Sequence, residues 1–187
     1  MNVEHRIDLR CYPTTRPETV RAIEVAVRRS ASGELQMTYR LEGDIARIRV
    51  PSAGAPRIGT ELWRHTCFEA FIAVEGQPAY HEFNFAPSGE WTVYGFRGYR
   101  DGGPIANEMM RPIIAARSTD GRLELETVVR LEALSAIHPR AALRIGLAAV
   151  IEASDGISYW ALRHPAGRPD FHDADGFALQ LEPPGPE

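Results

Sequence analysis

The sequence predicts an all-β protein that folds as an antiparallel β-sandwich of about ten to eleven strands with one short helical turn. Three observations predict this class. Short runs of alternating apolar and polar residues, or of β-branched residues, recur along the whole chain. Turn-forming sequences such as SASGE, PSAGAP, APSGE and STDGR separate these runs. Long helical periodicity is nearly absent, and a single set of strands of this kind fits one sandwich.

The predicted strands follow one another at short intervals. In chain order they cover 3–12, 35–41, 44–50, 66–74, 79–85, 90–96, 121–131, 142–153, 157–162 and 176–181. Segment 14–29 is ambiguous, because Thr15 and Glu18 form a capping box that would suit a helix. A strand is favoured there, since Ile23, Val25 and Val27 alternate strictly with their neighbours.

Three turn sequences predict hairpins. The pairs Asp120-Gly121 and Asp155-Gly156 suit type I′ turns, which need positive φ at both central residues. The segment 87–89 predicts a type I turn followed by a glycine in the left-handed region. These hairpins would connect neighbouring antiparallel strands, as in immunoglobulin-like or jelly-roll-like sandwiches.

The remaining segments are predicted as a helical turn, a loop and a tail. Segment 131–139 suits one helical turn that ends before Pro139, because proline disfavours helical geometry at the preceding residue. Segment 98–113 is the longest predicted loop, and loops of that length are usually functional or mobile. We expect residues 1–182 to form one domain and the Pro-rich residues 183–187 to be a disordered tail.

Composition and charge exclude several classes of function. The net charge of −4 gives no electrostatic footprint for nucleic acid or anionic lipid, so neither is an expected partner. No apolar run is long enough to span a membrane, and the N-terminal residues lack the apolar region of a secretory signal, which predicts a cytoplasmic protein. Cys11 and Cys67 fit two reduced thiols. The oligomeric state stays open.

The stretch YHEFNF at 80–85 is the first candidate for a binding surface. Strand alternation places its side chains on two faces. One face carries Tyr80, Glu82 and Asn84, and the other carries His81, Phe83 and Phe85. We expect the second face to be core and the first face, with its carboxylate and amide, to be the floor of a ligand site.

Trp63 and Glu69 form the second candidate. They share one parity if 62–74 is a continuous strand, but an ideal strand would hold them about 20 Å apart. A bend near His65 would therefore be needed to bring both over one ligand. Glu69 and Glu82 could also act as paired carboxylates in glycoside hydrolysis if they faced each other on neighbouring strands.

The polar and aromatic segment 158–177 is the third candidate. It brings Trp160, His164 and His172 close together in the sequence, and two prolines stiffen it. Its acids, which could hold calcium, are Asp170, Asp173 and Asp175. They lack the twelve-residue register and the terminal glutamate of an EF-hand, so calcium is only a weak hypothesis here.

Two long motifs carry a resemblance to a known family. LWRHTCFEAFIAVEGQPAYHEFNFAPSGEWTVYGFRGYRDG and, later, YWALRHPAGRPDFHDADGFAL resemble the DOMON-like domain proteins, which are related to family 9 carbohydrate-binding modules. The resemblance covers residues 1–182 and implies an antiparallel sandwich that binds a sugar or haem. It also implies that Trp63 and Trp160 stand for the two tryptophans that hold a terminal sugar, with Glu69 beside the first.

These observations predict a non-catalytic domain that binds a small sugar or sugar-containing ligand without a cofactor. The predicted ligand-binding residues are Trp63, Glu69, Glu82, Asn84, Tyr94, Arg97, Trp160, His164 and His172. Aromatic rings would stack on the sugar, and the polar groups would pair with its hydroxyls.

Three alternatives stay open. The first is a haem-binding domain of the DOMON type, with haem as cofactor and axial ligands from Met109, Met110, His65, His164 or His172. The second is a carbohydrate-active enzyme that uses Glu69 and Glu82. The third is an interaction module with an exposed aromatic patch, made by Trp63, Trp91 and Tyr99.

Overall fold

Two β-sheets packed face to face make up the protein, as seen in a computed structural model that describes residues 3–184. The strands in this range are β1 (Glu4–Asp8), β2 (Arg10–Cys11), β3 (Val20–Arg29), β4 (Glu34–Gly43), β5 (Arg57–Ile58), β6 (Cys67–Val74), β7 (Tyr80–Phe85), β8 (Glu90–Phe96), β9 (Gly102–Pro104), β10 (Ile113–Thr119), β11 (Arg122–Arg130), β12 (Leu143–Ala153), β13 (Gly156–Ala161) and β14 (Leu179–Leu181). Short 3-10 turns lie at Pro13–Thr15, Ile45–Arg47, Leu62–Arg64, Glu108–Met110, Leu131–Ala133 and Ala174–Gly176. The predicted β-sandwich is confirmed. No helix within residues 3–184 is long and apolar enough to cross a lipid bilayer.

The two sheets differ in size. The smaller has five strands in the order β1-β3-β4-β11-β10. The larger has nine, in the order β2-β13-β12-β6-β7-β8-β5, with β14 beside β12 and β9 beside β8. Neighbouring strands are antiparallel, except that the two-residue β5 runs parallel to β8. Strands β6, β7 and β8 lie side by side within the larger sheet, so residues that are distant in the sequence share one surface.

Strand alternation builds the main core between the sheets. On β6, Phe68, Ala70 and Ile72 point inward and are fully buried. Tyr39 of β4 lies in the same core, and its hydroxyl donates a hydrogen bond of 2.8 Å to the backbone carbonyl of Glu69. This bond joins the two sheets directly behind the outward-facing Glu69 side chain, and it satisfies a hydroxyl that would otherwise be buried without a partner.

The structure contains hairpins at all three predicted turns. Gly89 has φ 91° and closes the β7–β8 turn, as the sequence predicts. Strands β10 and β11 join through Asp120 and Gly121, but Gly121 is not in the left-handed region, so the predicted type I′ turn is wrong there. The β12–β13 loop consists of Ser154 and Asp155, one residue earlier than predicted, because Gly156 already pairs with Ala153.

Other segments differ more from the prediction. The predicted strand 44–50 forms a 3-10 turn over Ile45–Arg47, followed by an isolated bridge at Ile48. Strand β10 was not predicted; as an exposed edge strand it lacks a clear apolar alternation. The predicted loop 98–113 contains β9 and a 3-10 turn. By contrast, the strand favoured within 14–29 and the turn in 131–139 are confirmed as β3 and Leu131–Ala133. Of the predicted tail, residues 185–187 lie outside the described range.

The segment 162–178, which follows β13, covers part of the outer face of the larger sheet. Phe177 stacks on Phe71 of β6 at 5.5 Å between ring centroids. Gly146 of β12 permits this approach, since a Cβ there would come within 2.7 Å of the Phe177 ring. The covering segment therefore closes over strands that would otherwise face solvent, and beside it lies a cavity.

Candidate functional site

A cavity of about 640 Å³ lies on the outer face of the larger sheet, above β6, β7 and β8. Its floor comes from the strands, one wall from the segment 162–178 and the rim from the turn that precedes β6. The lining residues are Trp63, Glu69, Glu82, Tyr94, Phe96, Arg100, Gly102, Gly103, Pro104, Val150, Tyr159, Arg168, Pro169, Asp170, Phe171 and His172. The volume lies within the range of about 300–1,000 Å³ that is usual for small-molecule sites.

Two buried carboxyl groups form the polar part of the floor. Glu69 and Glu82 are 3% and 5% exposed. In the β6–β7 register Glu69 lies opposite Asn84 and Phe71 lies opposite Glu82, so the two glutamates are diagonal neighbours on one face. The alternation predicted for 80–85 holds: Phe83 and Phe85 lie in the main core behind them.

Glu82 is held from two sides. The Asn84 side-chain amide donates to one carboxyl oxygen of Glu82 at 2.6 Å. The other oxygen lies 3.5 Å from Nε2 of His172. Asn84 is fully buried beneath the floor, where its own oxygen accepts a weak hydrogen bond from the Cys67 thiol. It therefore positions Glu82 and does not line the cavity.

A short chain of hydrogen bonds holds the His172 ring in place. The backbone amide of Arg100 donates to the Tyr80 hydroxyl oxygen at 3.2 Å, and that hydroxyl lies 2.8 Å from Nδ1 of His172. The other ring nitrogen, Nε2, is the atom that faces Glu82.

Burial shifts the acid–base properties of these groups. Desolvation raises the pKa of Glu82 to about 7, with the Asn84 amide and Arg100 acting in the opposite direction. Desolvation and the neighbouring Glu82 charge hold the pKa of Glu69 well above its ordinary value. Desolvation and Arg100 lower the pKa of His172 to about 4. At neutral pH the histidine is neutral, and Glu82, with a pKa of about 7, is only partly ionised, unlike an exposed glutamate.

Asp170 fastens the wall of the cavity to the β8–β9 turn. One carboxylate oxygen accepts from the Arg100 guanidinium at 2.7 Å and from the His172 amide at 3.1 Å, and the other accepts from the Tyr99 hydroxyl at 2.5 Å. Burial acts to raise the pKa of Asp170, but these donors outweigh it and the pKa is lowered. The charge of Arg100 is therefore engaged by Asp170, although the residue also borders the cavity.

Aromatic rings supply most of the remaining surface. Trp63 lies on the 3-10 turn Leu62–Arg64, is 44% exposed and reaches the cavity from the rim. This turn is the bend that the sequence required, since it brings Trp63 and Glu69 to one cavity. Tyr94 and Phe96 of β8 stack on each other at 6.2 Å, and Phe171 lies across from them on the wall.

Three residues predicted to bind a ligand lie elsewhere. Trp160 is buried in the main core, where its indole nitrogen donates to Ser158 at 2.9 Å. The adjacent Tyr159 takes the outward position and lines the cavity. Arg97 is exposed and pairs with Asp101, and His164 bonds to the backbone carbonyl of Arg10 at 2.7 Å. The structure thus brings together Trp63, Glu69, Glu82, Tyr94 and His172, with Asn84 behind them.

Several lining residues were not predicted as ligand-binding. Arg100, Arg168 and Phe171 come from irregular segments, for which period-two alternation makes no prediction. Tyr159 and Phe96 lie on strands, and alternation could have found them: Tyr159 has opposite parity to the core Trp160, and Phe96 has the same parity as Tyr94.

The acids suggested for calcium are not arranged as a metal site. Asp170 is engaged by Arg100 and Tyr99, and the Asp173 carboxylate accepts from the amide of Asp175 at 2.9 Å. Within residues 3–184 no group of three or more histidine, cysteine or acidic side chains could hold a metal ion. These donors do not fit calcium.

The side chains suggested for haem do not form the two sides of one slot. Met110 lies in the main core, while Met109 is exposed at the surface. His65 bonds to Glu152 at 2.7 Å, and His164 is held by Arg10. Of the suggested axial ligands, only His172 borders the cavity, and both of its ring nitrogens face other groups.

The fold has counterparts among solved structures. A proposed carbohydrate-binding protein from Bacteroides uniformis shares it with a TM-score of 0.64 at 15% sequence identity, over 94% of this chain and 84% of that one. Two structures of a family 9 carbohydrate-binding module from Caldicellulosiruptor kristjanssonii, one with cellotriose and one with glucose, give a TM-score of 0.46 at 8% identity. They cover 83% of this chain and 76% and 78% of theirs. No family model and no curated protein matches the sequence. The chain therefore has the β-sandwich fold of the Bacteroides uniformis protein.

Proposed function

We propose that this protein is a non-catalytic domain that binds a small sugar or sugar-containing ligand in the cavity above β6, β7 and β8. One observation carries the proposal: the cavity joins an exposed indole, Trp63, to two buried carboxyl groups, Glu69 and Glu82. A pyranose has apolar C–H faces that stack on aromatic rings and hydroxyls that need donors and acceptors. The resemblance of 62–102 to DOMON-like proteins points in the same direction.

The polar groups match a small ligand in number and placement. Glu69 and Glu82 can accept from hydroxyls, while Arg168 and Tyr159 can donate. Each hydrogen bond between a hydroxyl and a neutral carboxyl group contributes about 0.5–1.5 kcal/mol, and about 1.5–3 kcal/mol if the carboxyl group is ionised. The cavity is closed on one side by the wall 168–172, so we propose a mono- or disaccharide unit as the bound portion.

The test is a titration that follows intrinsic tryptophan fluorescence and absorbance together. Mono- and disaccharides, sugar nucleotides and haemin are added to wild type, to Trp63→Ala and to Ile113→Ala, a control at an exposed apolar residue of the other sheet. We expect a saturable change with a sugar in wild type and in the control, and at least tenfold weaker binding in Trp63→Ala. Unaltered affinity in Trp63→Ala would contradict this site, and a Soret band with haemin would favour the haem alternative.

Glycoside hydrolysis is the second candidate, and the pKa of Glu82 favours it. A carboxyl group with a pKa of about 7 can be protonated at neutral pH, as a general acid must be. Turnover of a panel of aryl glycosides that is lost in Glu82→Gln would support the enzyme. Saturable binding of a sugar without turnover would contradict the enzyme and support the non-catalytic binding domain.

A further inference from the structure

Glu69 is a buried carboxyl group without a hydrogen-bonding partner. Its side chain is 97% buried, it lines the cavity, and it makes no hydrogen bond or ion pair with any other of residues 3–184. Its diagonal neighbour Glu82, in contrast, has the Asn84 amide and the His172 ring. A buried polar group of this kind is costly unless something else pairs with it, and the open side of Glu69 is the cavity.

Among residues 3–184, the cations compensate this pair of acids only in part, through the charge of Arg100. The Arg100 guanidinium is engaged by Asp170, and His172 is neutral because its pKa is lowered to about 4. Arg168 is exposed at the rim. The floor therefore holds two carboxyl groups whose nearest cations are paired elsewhere or exposed to solvent, so a negative charge that forms there on ionisation can be balanced from inside the cavity.

The surrounding rings suit a cation as well as a sugar. Trp63, Tyr94, Phe96, Tyr159 and Phe171 border the same space as the two acids. The face of an aromatic ring attracts a nearby ammonium group, with about 2 kcal/mol or more when the pair is shielded from water. Aromatic walls above an acidic floor are thus complementary to an organic cation and not only to a neutral ring.

We propose that the ligand of this cavity is an amino sugar with a free amino group, whose ammonium is bound between Glu69 and Glu82. The inference rests on the proposed function and narrows its ligand class. The ammonium donates to the free oxygens of Glu69 and to Glu82, and the sugar ring stacks on the aromatic walls. An N-acetylated or neutral sugar leaves the acids without a counterion and binds more weakly.

Binding of a cation also moves protons. Before a ligand binds, burial and mutual repulsion raise the pKa values of the pair and favour the neutral forms. An ammonium favours the ionised forms, so a proton should leave as the ligand enters. The other titratable or charged groups around the pair lie on several elements. They are Cys67 on β6, Tyr80 on β7, Tyr94 on β8, Tyr159 on β13, Arg100 in the β8–β9 turn, and Arg168, Asp170 and His172 on the wall.

The experiment is isothermal titration calorimetry at neutral pH with matched ligands. Glucosamine, galactosamine and mannosamine are compared with their N-acetyl forms and with the parent hexoses, and cyclohexylamine serves as an ammonium on a ring without hydroxyls. We expect one of the amino sugars to bind at least about tenfold more tightly than its acetylated and neutral counterparts. Repeating the titration in phosphate and in Tris should reveal the release of up to about one proton.

Two variants test whether the charge of Glu69, and not only its shape, determines the affinity for amino sugars. Glu69→Gln keeps an acceptor oxygen and the side-chain volume but removes the charge, so it should reduce amino-sugar affinity by about ten- to a hundredfold and leave neutral hexoses within about threefold. Glu126→Gln is the control, because Glu126 lies on the smaller sheet and pairs with Arg117 at the surface. Glu126→Gln should leave the affinities for amino sugars and for neutral hexoses unchanged.

The outcomes distinguish the two levels of the proposal. Neutral hexoses that bind as tightly as amino sugars, with no release of protons, would overturn the inference and leave the sugar-binding function standing. If cyclohexylamine binds as tightly as the amino sugars, the site recognises an organic cation, and the proposal that its ligand is a sugar is contradicted. The absence of binding by all amino, acetylated and neutral sugars and by cyclohexylamine would overturn both.

Discussion

The outer faces of the two sheets deal with acidic side chains in opposite ways. On the smaller sheet, Arg40 lies 2.8 Å from Glu124 and 3.2 Å from Glu24, and Arg117 binds Glu124 from the other side. Arg117 is exposed and the other three groups are partly buried, so each acid of this network has an arginine partner at the surface. On the larger sheet, Glu69 and Glu82 are almost completely buried, and within residues 3–184 neither forms an ion pair with an arginine.

This difference separates acids that are already paired within the protein from acids that can still accept a partner. A paired carboxylate at the surface is already solvated, so it contributes little to stability and leaves nothing for a ligand. A buried carboxyl group with a free oxygen makes folding less favourable, and a partner that enters later can recover that free energy. The acids of the larger sheet are therefore the ones to connect with binding.

The largest expected effect comes from Glu82→Gln, compared with Glu126→Gln on the smaller sheet. The pKa of Glu82 is about 7 in the folded protein and 4.5 is its ordinary value, so the native state binds more protons and wild-type stability falls as pH rises from 4.5 through 7. Glutamine does not ionise. The gain in unfolding free energy from Glu82→Gln should therefore grow by about 3 kcal/mol between pH 4.5 and about pH 8.

Urea denaturation at both pH values measures this gain. Glu126→Gln should change the unfolding free energy by no more than about 0.5 kcal/mol at either pH. An equal response of the two variants to pH would show that Glu82 is solvated in the same way as the surface acids, and the contrast between the faces would then be lost.

A smaller effect is expected from Asp170→Asn, which removes the charge that fastens the cavity wall. The variant weakens the bonds from Arg100 and Tyr99 and should lower the free energy of local opening by about 1–3 kcal/mol. Hydrogen exchange of the amides in 162–178 should become correspondingly faster. Asp101→Asn breaks the exposed pair with Arg97 and is the control, for which unchanged exchange is expected.

The smallest effect is expected on the smaller sheet itself. Arg40→Gln removes the arginine that joins Glu24 and Glu124, and we expect a loss of less than about 1 kcal/mol that decreases further in about 1 M sodium chloride. Thermal denaturation at low and high salt measures it. A larger loss of unfolding free energy that does not depend on salt concentration would mean that this network also contributes through packing.

Strand alternation explains how much of the core and of the cavity floor could be predicted from the sequence. It placed Phe83 and Phe85 in the core and Glu82 on the opposite face, because one face of each strand in a sandwich must be apolar. It could also have rejected Trp160 in favour of Tyr159, had the core face of β13 been identified from its pairing with β12. Resemblance favoured the tryptophan, and the structure buries that side chain.

Contacts between distant segments could not be predicted in this way. Asp170 and Arg100 are 70 residues apart, and both lie in irregular segments. Their pairing depends on how the covering segment crosses the sheet, which local patterns do not encode. The bend at Leu62–Arg64 is an intermediate case: the need for it followed from strand geometry, but its 3-10 form did not.

The order of the cavity's parts along the chain has a consequence for synthesis. The floor comes from β6, β7 and β8, which are complete at Phe96, whereas the wall is made by residues 168–172. At a translation rate of roughly 5–20 residues per second, the ribosome needs on the order of 4–15 s to reach the wall. During that interval β12, which pairs with β6, is also synthesised. The sheet beneath the cavity is therefore completed before its wall, and the cavity exists only after residues 168–172 have been made.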